Sequence, residues 1–526
     1  MFSRILSGAV FGIESHLVHV EVDLSAGLPC FIMIGSLEGK VKESGERVRI
    51  ALKNTGISIP PMHISVNFSP ADLKKEGTGF DLPVSIGVLT AMERIPTGCA
   101  DGMLILGELG LNGEVKPVKG VLPIMISAVK AGVTRCLVAK ENAKEAAAAV
   151  GMHAVGVEDL KQVISYLKLP EGERDEMIPP KVKDMEEAFS MEEWDKPQEK
   201  DDFSQIIGQE SVKRAALIAA AGFHHMLIMG PPGSGKTMIA KRLSTILPPL
   251  SREESFEVSS IYSISGLLPE GGKLLLERPF LSPHHSISPV ALSGGGRQPR
   301  PGIVSLAHRG VLFLDELPEF KRQTLDLLRQ PLEDKKIQIA RSGGSAVYPA
   351  DFMLVGAMNP CPCGYYPDLN KCRCTPSQVH HYLSHISGPI LDRIDLCVEA
   401  PKTALDSLYG KSARQVQKRM DSKSLREKVL AARKQQEDRY KGTNIRFNSE
   451  LKGPDLEKYC YLGKKESEML EKLYVSLDLS ARACNKLVVV ARTIADLEES
   501  GEIHTRHLAE AVCYRAADKL GRWADE

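Results

Sequence analysis

A glycine-rich segment near the middle of the chain combines the residue types that bind phosphate. It follows a short apolar run, residues 224–229, and precedes residues 238–247, which have the pattern of a helix. Backbone N–H groups of such a loop can surround a β-phosphate at a helix N-terminus, where the helix dipole favours an anion. Lys236 supplies charge to the β- and γ-phosphates, and the Thr237 hydroxyl can bind Mg²⁺. This phosphate loop predicts a site for ATP and Mg²⁺ and consists of Gly230, Pro231, Pro232, Gly233, Ser234, Gly235, Lys236 and Thr237.

A pair of carboxylates follows an apolar strand pattern, residues 311–314. Asp315 is placed to hold Mg²⁺ through water, and Glu316 to orient and polarise the water that attacks the γ-phosphate. The alternative is a buried strand that ends in two solvated acids. The upstream phosphate loop favours nucleotide hydrolysis.

Two further segments carry polar residues suited to a γ-phosphate. Residues 352–358 form an apolar strand pattern that leads to Asn359, whose amide could position water. Residues 388–395 are interpreted as another strand, which offers Arg393. Either residue alone is more often a strand-end polar group or part of a surface salt bridge. Their order after the phosphate loop and the carboxylates favours a role at the nucleotide.

The order of these motifs resembles that of the AAA+ clade that contains magnesium-chelatase motors and MCM helicases. Within this clade the chain most resembles the ComM/YifB family, which is called magnesium-chelatase-like. The resemblance covers nearly the whole chain. Further matching segments are residues 283–286, 294–296, 299–302, 306–310 and 479–483.

This resemblance implies roles for three residues and an assembly. Asn359 corresponds to sensor 1, Arg393 to the arginine finger and Arg482 to sensor 2. A finger supplied by a neighbouring subunit makes hydrolysis depend on assembly, which implies a homo-oligomeric ring, expected to be a hexamer. The implied activity is that of a DNA helicase that drives branch migration and integrates single-stranded DNA during homologous recombination, as in natural transformation.

Three other functions are compatible with parts of the pattern. A chelatase-type motor would remodel a protein partner, but the chain shows no porphyrin or metal-insertion site. A nucleotide switch without hydrolysis is disfavoured by Glu316, Asn359 and Arg393 together. An ATP-dependent protease is the third.

The N-terminal segments 75–85 and 107–122 resemble the parts of Lon-type proteases that carry the catalytic serine and lysine. Those enzymes need a serine activated by a lysine. The corresponding positions here hold Val84 and Leu122, and the nearby Ser85 and Lys119 are out of register. We therefore expect a retained scaffold without peptidase chemistry.

Four cysteines lie within a loop shortly after Asn359. Cys361, Cys363, Cys372 and Cys374 give two C-x-C pairs, and four thiolates can hold a structural Zn²⁺. The spacing within each pair is tighter than the common C-x₂-C. The alternative is four free thiols or a redox-labile loop.

Two insertions are candidates for contact with DNA. Residues 274–296 contain His284 and His285, which could be metal ligands or ordinary loop residues. Residues 334–348 have a hairpin pattern with a turn at 342–344, made positive by Lys335, Lys336 and Arg341. The basic span 402–446 could add phosphate contacts, although an amphipathic surface helix explains it as well. No sequence-specific DNA-binding motif is present, so binding is expected to be independent of base sequence.

The whole chain has the composition of a multidomain globular protein with balanced charge. We expect an α/β architecture: an N-terminal α+β domain of Lon-protease-like, ribosomal S5-type fold (1–168), an acidic linker (169–202), an αβα AAA+ core (203–401) and a helical lid of the magnesium-chelatase C-terminal type (402–526). The odd cysteine count and the absence of a signal-peptide pattern or membrane span favour a reducing cytoplasm.

Overall fold

The computed structural model describes residues 1–174, 202–269, 272–296, 299–341, 344–402 and 421–515. The strands are β1 (Phe2–Phe11), β2 (Glu14–Ser25), β3 (Cys30–Ile34), β4 (His63–Ser69), β5 (Met103–Ile105), β6 (Glu108–Leu109), β7 (Val115–Lys116), β8 (Arg135–Ala139), β9 (His153–Val157), β10 (Met226–Met229), β11 (Phe280–Leu281), β12 (Gly294–Gly295), β13 (Arg300–Pro301), β14 (Val311–Leu314), β15 (Lys336–Arg341), β16 (Gly344–Pro349), β17 (Met353–Met358) and β18 (Leu396–Glu399).

The α-helices are α1 (Gly39–Lys42), α2 (Ser44–Asn54), α3 (Asp81–Ala91), α4 (Val121–Lys130), α5 (Ala143–Ala147), α6 (Leu160–Lys168), α7 (Glu171–Arg174), α8 (Glu210–Gly222), α9 (Lys236–Ile246), α10 (Arg252–Ser265), α11 (Pro289–Ser293), α12 (Ile303–Leu306), α13 (Arg322–Asp326), α14 (Arg329–Asp334), α15 (Pro376–Leu383), α16 (Gly388–Leu391), α17 (Ser422–Arg439), α18 (Pro454–Tyr459), α19 (Lys464–Ser476), α20 (Ala481–Leu497) and α21 (Thr505–Cys513).

The chain folds into two compact units. Of the described residues, the N-terminal unit contains 1–174, 251–269, 272–276, 338–341 and 344–348, and the C-terminal unit contains 202–250, 277–296, 299–337, 349–402 and 421–515. The segments 251–276 and 338–348 thus belong to the N-terminal unit, although the sequence-based division places them within the range 203–401.

The N-terminal unit is built on a mixed sheet with the strand order β3-β4-β2-β1-β5-β8-β9. Alternation along β2 buries Val18, Val20, Val22 and Leu24, as the period of two along the sequence predicts. Helix α10 joins this unit: Ser263 Oγ donates a hydrogen bond of 2.5 Å to the buried Glu145 carboxylate. Burial raises the pKa of Glu145.

Two features of this unit differ from the sequence-based expectation. Helix α10 was not predicted, although Ser251 and Glu254 form a capping box at its start. Residues 169–174 were assigned to a linker, but Arg174 donates to the carbonyls of Leu167 and Cys99, at 2.6 Å each, and is nearly buried. Residues 175–201 of that acidic segment lie outside the described residues.

The C-terminal unit contains a parallel sheet with the strand order β11-β14-β17-β10-β18. β17 lies between β14 and β10, and both of these pairings are parallel. The carboxyl ends of the three strands therefore meet at one edge of the sheet, where ligands bind in open α/β sheets. This arrangement fits the predicted α/β class and determines which side chains can come together.

Helices from the C-terminal region complete the core of this unit. α17 and α20 contribute Leu425, Val429, Leu487 and Ile494 to the same buried cluster as the strands. Among the described residues no helix is both long and apolar enough to cross a membrane.

Candidate functional site

The phosphate loop connects the end of β10 to the start of α9. A Cβ atom on Gly230 would lie 2.3 Å from the Ala400 carbonyl oxygen, so only glycine fits where this loop leaves the sheet. Gln209 donates to the Pro401 and Ser234 carbonyls, at 2.5 and 3.3 Å. Gln209 therefore connects the phosphate loop to the segment after β18. The sequence motifs alone did not indicate this residue.

Lys236 begins α9 and points back into the loop. Its ammonium donates to the carbonyls of Gly230 and Pro231, at 2.8 and 3.0 Å, and to Asn359 Oδ1 at 3.1 Å. Burial lowers the pKa of Lys236, against the smaller opposing effects of Asp315 and Glu316. Phosphate oxygens placed in the loop would compete for the same ammonium hydrogens.

Thr237 and Asp315 meet across the site. Thr237 Oγ1 donates a hydrogen bond of 2.6 Å to Asp315 Oδ2, so a hydroxyl and a carboxylate at the ends of adjacent elements lie within one bond of each other. Mg²⁺ prefers oxygen ligands of this kind and keeps several waters in such sites. The residues present therefore fit the predicted magnesium site.

Glu316 follows Asp315 in a left-handed backbone conformation, with φ of 52°. This region is unfavourable for a residue with a side chain and is often occupied at functional sites. The Glu316 side chain is 58% exposed, and its Oε2 lies 3.6 Å from His285 Nδ1. The His285 ring lies against the His284 ring, with the centroids 4.0 Å apart and the ring planes tilted by 35°. The contact with Glu316 gives His285 a position at the site that its sequence context did not reveal.

Asn359 follows the end of β17, the strand between β10 and β14. The structure thus brings together five residues singled out in the sequence: Lys236, Thr237, Asp315, Glu316 and Asn359. Strand order explains this convergence, because the three strand ends are neighbours.

Arg393 occupies a different local structure from the one expected. Residues 388–391 form the helical turn α16, with Pro389 near its start, and the strand β18 begins only at Leu396. The strand interpretation of residues 388–395 was therefore wrong, because proline near the start of a helical turn supplies the φ that the turn needs. Arg393 donates to the Pro389 carbonyl at 2.6 Å and pairs with Glu333.

Arg482 lies at the start of α20 and is exposed. Hydrogen bonding to Arg393, and to a lesser degree the charge of Arg482, lowers the pKa of Glu333. Glu333, which sequence analysis missed, therefore lies within the electrostatic reach of both arginines.

Asp395 is paired with a residue of α20, the helix that also carries Arg482. It is paired with Lys486 of that helix at 2.7 Å and accepts from the His225 backbone N–H at 3.1 Å. Although burial by itself raises the pKa of Asp395, Lys486 and His224 hold that pKa well below its usual range. Burial lowers the pKa of His225 to about 4.

The four cysteines of the predicted metal site lie together. Their sulfur atoms are all within 4.8 Å of one another, which could hold a metal ion. Hydrogen bonding from the Tyr365 backbone lowers the pKa of Cys363 to about 6.

The candidate DNA contacts have mixed surroundings. Lys335 pairs with Glu450 and lies 3.5 Å from Asp351, so two acids of its own chain engage its ammonium. Lys336 begins β15 and Arg341 ends it, but the Arg341 side chain lies outside the described residues. Gly344, which was assigned to the predicted turn, belongs to β16, and the other two residues of that turn, 342–343, lie outside the described residues. In the basic span, residues 403–420 are likewise outside them; Arg426 donates to the Thr245 carbonyl at 2.9 Å.

The protease-like positions of the N-terminal unit show other contacts. Val84 is fully buried within α3, and the Ser85 hydroxyl donates to the Leu82 carbonyl at 2.7 Å. Lys119 donates to the Ser265 carbonyl at 3.2 Å, and the Leu122 backbone N–H donates to Glu145 at 3.0 Å. These contacts give Ser85 and Lys119 separate partners.

Comparisons with known proteins cover most of the chain. A family model described as magnesium chelatase, subunit ChlI, matches residues 202–408; models described as subunit ChlI of Mg-chelatase and as its C-terminal part match residues 20–142 and 419–515. The magnesium-chelatase 38 kDa subunit of Rhodobacter capsulatus is 30% identical over 176 residues, which is 30% of this chain and 50% of that protein.

Several relatives match over almost their full length. Competence protein ComM of Haemophilus influenzae is 41% identical over 522 residues, 98% of each chain. The uncharacterized protein YifB of Salmonella typhimurium is 41% identical over 512 residues, 97% of this chain and 96% of that protein. The chain therefore belongs to the ComM/YifB family of magnesium-chelatase-like AAA+ proteins.

Proposed function

We propose that this protein is an ATP-driven, ring-shaped DNA motor that promotes branch migration and the integration of single-stranded DNA during homologous recombination. The observation that carries the proposal is the convergence of Lys236, Thr237, Asp315 and Asn359 at one edge of a parallel sheet. This arrangement supports phosphate-bond hydrolysis in addition to nucleotide binding.

Each residue has a role that follows from its position. Lys236 binds the phosphate oxygens, and Thr237 and Asp315 hold Mg²⁺, which would neutralise phosphate charge when bound. Glu316 accepts a proton from the attacking water, and Asn359 orients that water. Lys236 and Asn359 already share a hydrogen bond of 3.1 Å, so both are within reach of the same γ-phosphate.

Completion of the site requires a neighbouring subunit. Arg393 and Arg482 are both associated with Glu333, whereas the electrostatic partners of Lys236 are Asp315 and Glu316. Because Arg393 is engaged within its own chain by Glu333 and the Pro389 carbonyl, we propose that the Arg393 that completes a site comes from the neighbouring subunit, and that the ring is a homo-hexamer. An arginine finger contributes about 10³–10⁵ to the rate in related phosphate-loop enzymes.

The substrate assignment is supported by the full-length similarity to competence protein ComM. Competence involves DNA uptake and recombination, so a motor of that kind acts on DNA. Lys336, Arg341 and the basic residues of 402–446 are the proposed phosphate contacts, and binding through phosphates alone does not depend on base sequence.

A magnesium-chelatase-type motor that remodels a protein partner is the second candidate, favoured by the match to the 38 kDa chelatase subunit. One assay separates the two functions. ATP turnover is measured alone, with single-stranded DNA and with a four-way junction, and branch migration of the junction is then followed, with Glu316→Gln as the inactive control. ATP turnover that is stimulated by DNA, together with branch migration of the junction, supports the DNA motor. Turnover indifferent to DNA, with no movement of the junction, would refute it.

A further inference from the structure

The loop that carries the four cysteines packs directly on the phosphate loop. A Cβ atom on Gly364 would lie 2.4 Å from Pro232 Cδ and 3.7 Å from Asn359 Cγ. No side chain fits between Gly364 and Pro232, so the position of the cysteine-bearing turn determines the space available to the phosphate loop. Cys361 also follows Asn359 by only two residues.

Three of the four sulfur atoms have spacings near those of a tetrahedral metal site, and all four lie within 4.8 Å of one another. Cys361 Sγ lies 3.3 Å from Cys363 Sγ and 3.8 Å from Cys372 Sγ, and Cys363 and Cys372 are 3.5 Å apart. Tetrahedral zinc with Zn–S bonds of about 2.3 Å requires sulfur atoms about 3.8 Å apart. Disulfide sulfurs are only about 2.05 Å apart. The cluster is thus close to the geometry that a single zinc ion would impose.

Backbone groups support the same arrangement. The N–H groups of Gly364 and Tyr366 donate to Cys361 Sγ, at 3.2 and 3.4 Å. Such bonds stabilise a thiolate ligand and fix its direction. Gly364 has φ of 85°, a conformation that favours glycine, and its N–H also donates to the Cys361 carbonyl at 2.9 Å. The turn that presents the first two ligands is therefore the turn that contacts Pro232.

We propose that Cys361, Cys363, Cys372 and Cys374 bind one zinc ion, and that this centre holds Gly364 against Pro232 so that zinc occupancy controls the affinity of the phosphate loop for nucleotide. The inference rests on the proposed nucleotide site and adds zinc as a regulator of its nucleotide affinity. Loss of the ion frees the turn from Cys361 to Cys374, and the support on Pro232 and Asn359 is lost with it. The phosphate loop must then be ordered by the nucleotide itself, which weakens binding.

The first measurement is zinc content, made on the full-length protein purified without added metal. We expect about one zinc ion per chain, measured by inductively coupled plasma mass spectrometry. Cobalt exchanged into the site should give the absorption of a tetrahedral thiolate complex. The double variant Cys363→Ser, Cys372→Ser should contain no zinc, while Cys513→Ser, which removes an exposed cysteine elsewhere, should retain it. Zinc below about a tenth of an equivalent in the wild type, or cysteines found as disulfides, would overturn the metal site.

The second measurement is the Kd for a fluorescent ATP analogue in excess Mg²⁺. Removal of zinc from the wild type with a zinc-selective chelator should raise this Kd about tenfold, and added zinc should restore it. The restoration excludes misfolding as the cause. An unchanged Kd after complete zinc removal would overturn the coupling.

Gly364→Ala tests the contact itself. The added methyl group should raise the Kd about tenfold while the zinc content stays at one per chain. A wild-type Kd in this variant would refute the role of the Gly364–Pro232 contact. Lys236→Ala distinguishes the zinc proposal from the proposed function, because this variant should lose nucleotide binding and keep its zinc. A wild-type protein that binds zinc but no nucleotide would refute the proposed nucleotide site and leave the zinc site standing.

Discussion

Thr237 Oγ1 lies 2.6 Å from Asp315 Oδ2, which joins the first turn of α9 to the end of β14. The bond places the two proposed magnesium ligands side by side before any ion is considered. Both residues belong to the C-terminal unit, whose strand order brings these elements together.

Thr237→Ala should therefore change the magnesium dependence of the enzyme. We expect the Mg²⁺ concentration for half-maximal ATP turnover to rise about tenfold, because one oxygen ligand is lost while Asp315 remains. Turnover titrated with Mg²⁺ at saturating ATP measures this. Thr237→Ser, which keeps the hydroxyl, is the matched control. A magnesium dependence equal to the wild type in Thr237→Ala would exclude the hydroxyl as a ligand.

Glu333 pairs with Arg393 within one chain, although the proposed role of Arg393 lies in the site of a neighbour. Glu333→Gln should remove this competition and raise the basal ATP turnover several-fold at protein concentrations that permit assembly. Arg393→Ala should lower turnover by about 10³-fold or more with little change in nucleotide affinity. Parallel measurements of turnover and Kd check both variants. An Arg393→Ala protein of normal turnover would invalidate the finger assignment.

His285 Nδ1 lies 3.6 Å from Oε2 of Glu316, the carboxylate that is proposed to activate the attacking water. His285→Ala should raise turnover in the absence of DNA by a few-fold, because Glu316 loses a competitor for its carboxylate oxygen. His284→Ala is the control, since the hydrogen bond of His284 is to Ser286, at 2.8 Å, although its ring also lies against that of His285. Equal effects of the two substitutions would argue that the loop, and not the His285–Glu316 contact, is responsible.

His225 predicts a loss of stability in mild acid. Burial holds its folded pKa at about 4, although its charge is partly favoured by Asp395, whereas the unfolded chain has the ordinary value near 6.5. Below about pH 6.5 the unfolded state takes up a proton that the folded state does not, so stability falls as the pH decreases towards 4. The expected loss is about 2 kcal/mol between pH 7 and pH 5.

The matched variant is His225→Asn. The Leu354 backbone N–H donates to His225 Nδ1 at 3.0 Å, and an asparagine oxygen can accept the same bond without titrating. Urea unfolding at the two pH values should show a smaller loss for the variant than for the wild type. The same pH dependence in both proteins would assign the acid sensitivity to other groups.

Much of the site was predictable because its residues stand at strand ends. The apolar patterns before Lys236, Asp315 and Asn359 indicate buried strands, and parallel strands place their carboxyl ends at one edge. The structure has parallel strands in this arrangement, with β17 between β14 and β10. The four cysteines were likewise recognisable from their spacing, and the structure places their sulfurs together.

The remaining relationships depend on tertiary packing that periodicity does not report. Arg393 follows a helical turn because Pro389 starts one, and its pairing with Glu333 spans 60 positions of the chain. Helix α10 packs in the N-terminal unit although it lies between segments of the C-terminal unit. The Gly364–Pro232 contact is similarly remote in sequence. Such contacts depend on shape complementarity between elements that are distant in sequence. The local pattern of a single sequence does not predict this complementarity.

The central claim is that hydrolysis occurs between two subunits, with Lys236 and Glu316 on one and Arg393 on the other. The most direct measurement mixes two inactive variants, Glu316→Gln and Arg393→Ala, and follows ATP turnover as a function of their ratio. In a mixed ring, an Arg393→Ala subunit keeps Glu316 and receives Arg393 from its Glu316→Gln neighbour. We therefore expect restored turnover that is maximal near equal proportions. A mixture no more active than its two components, under conditions where mixed rings are shown to form, would contradict it.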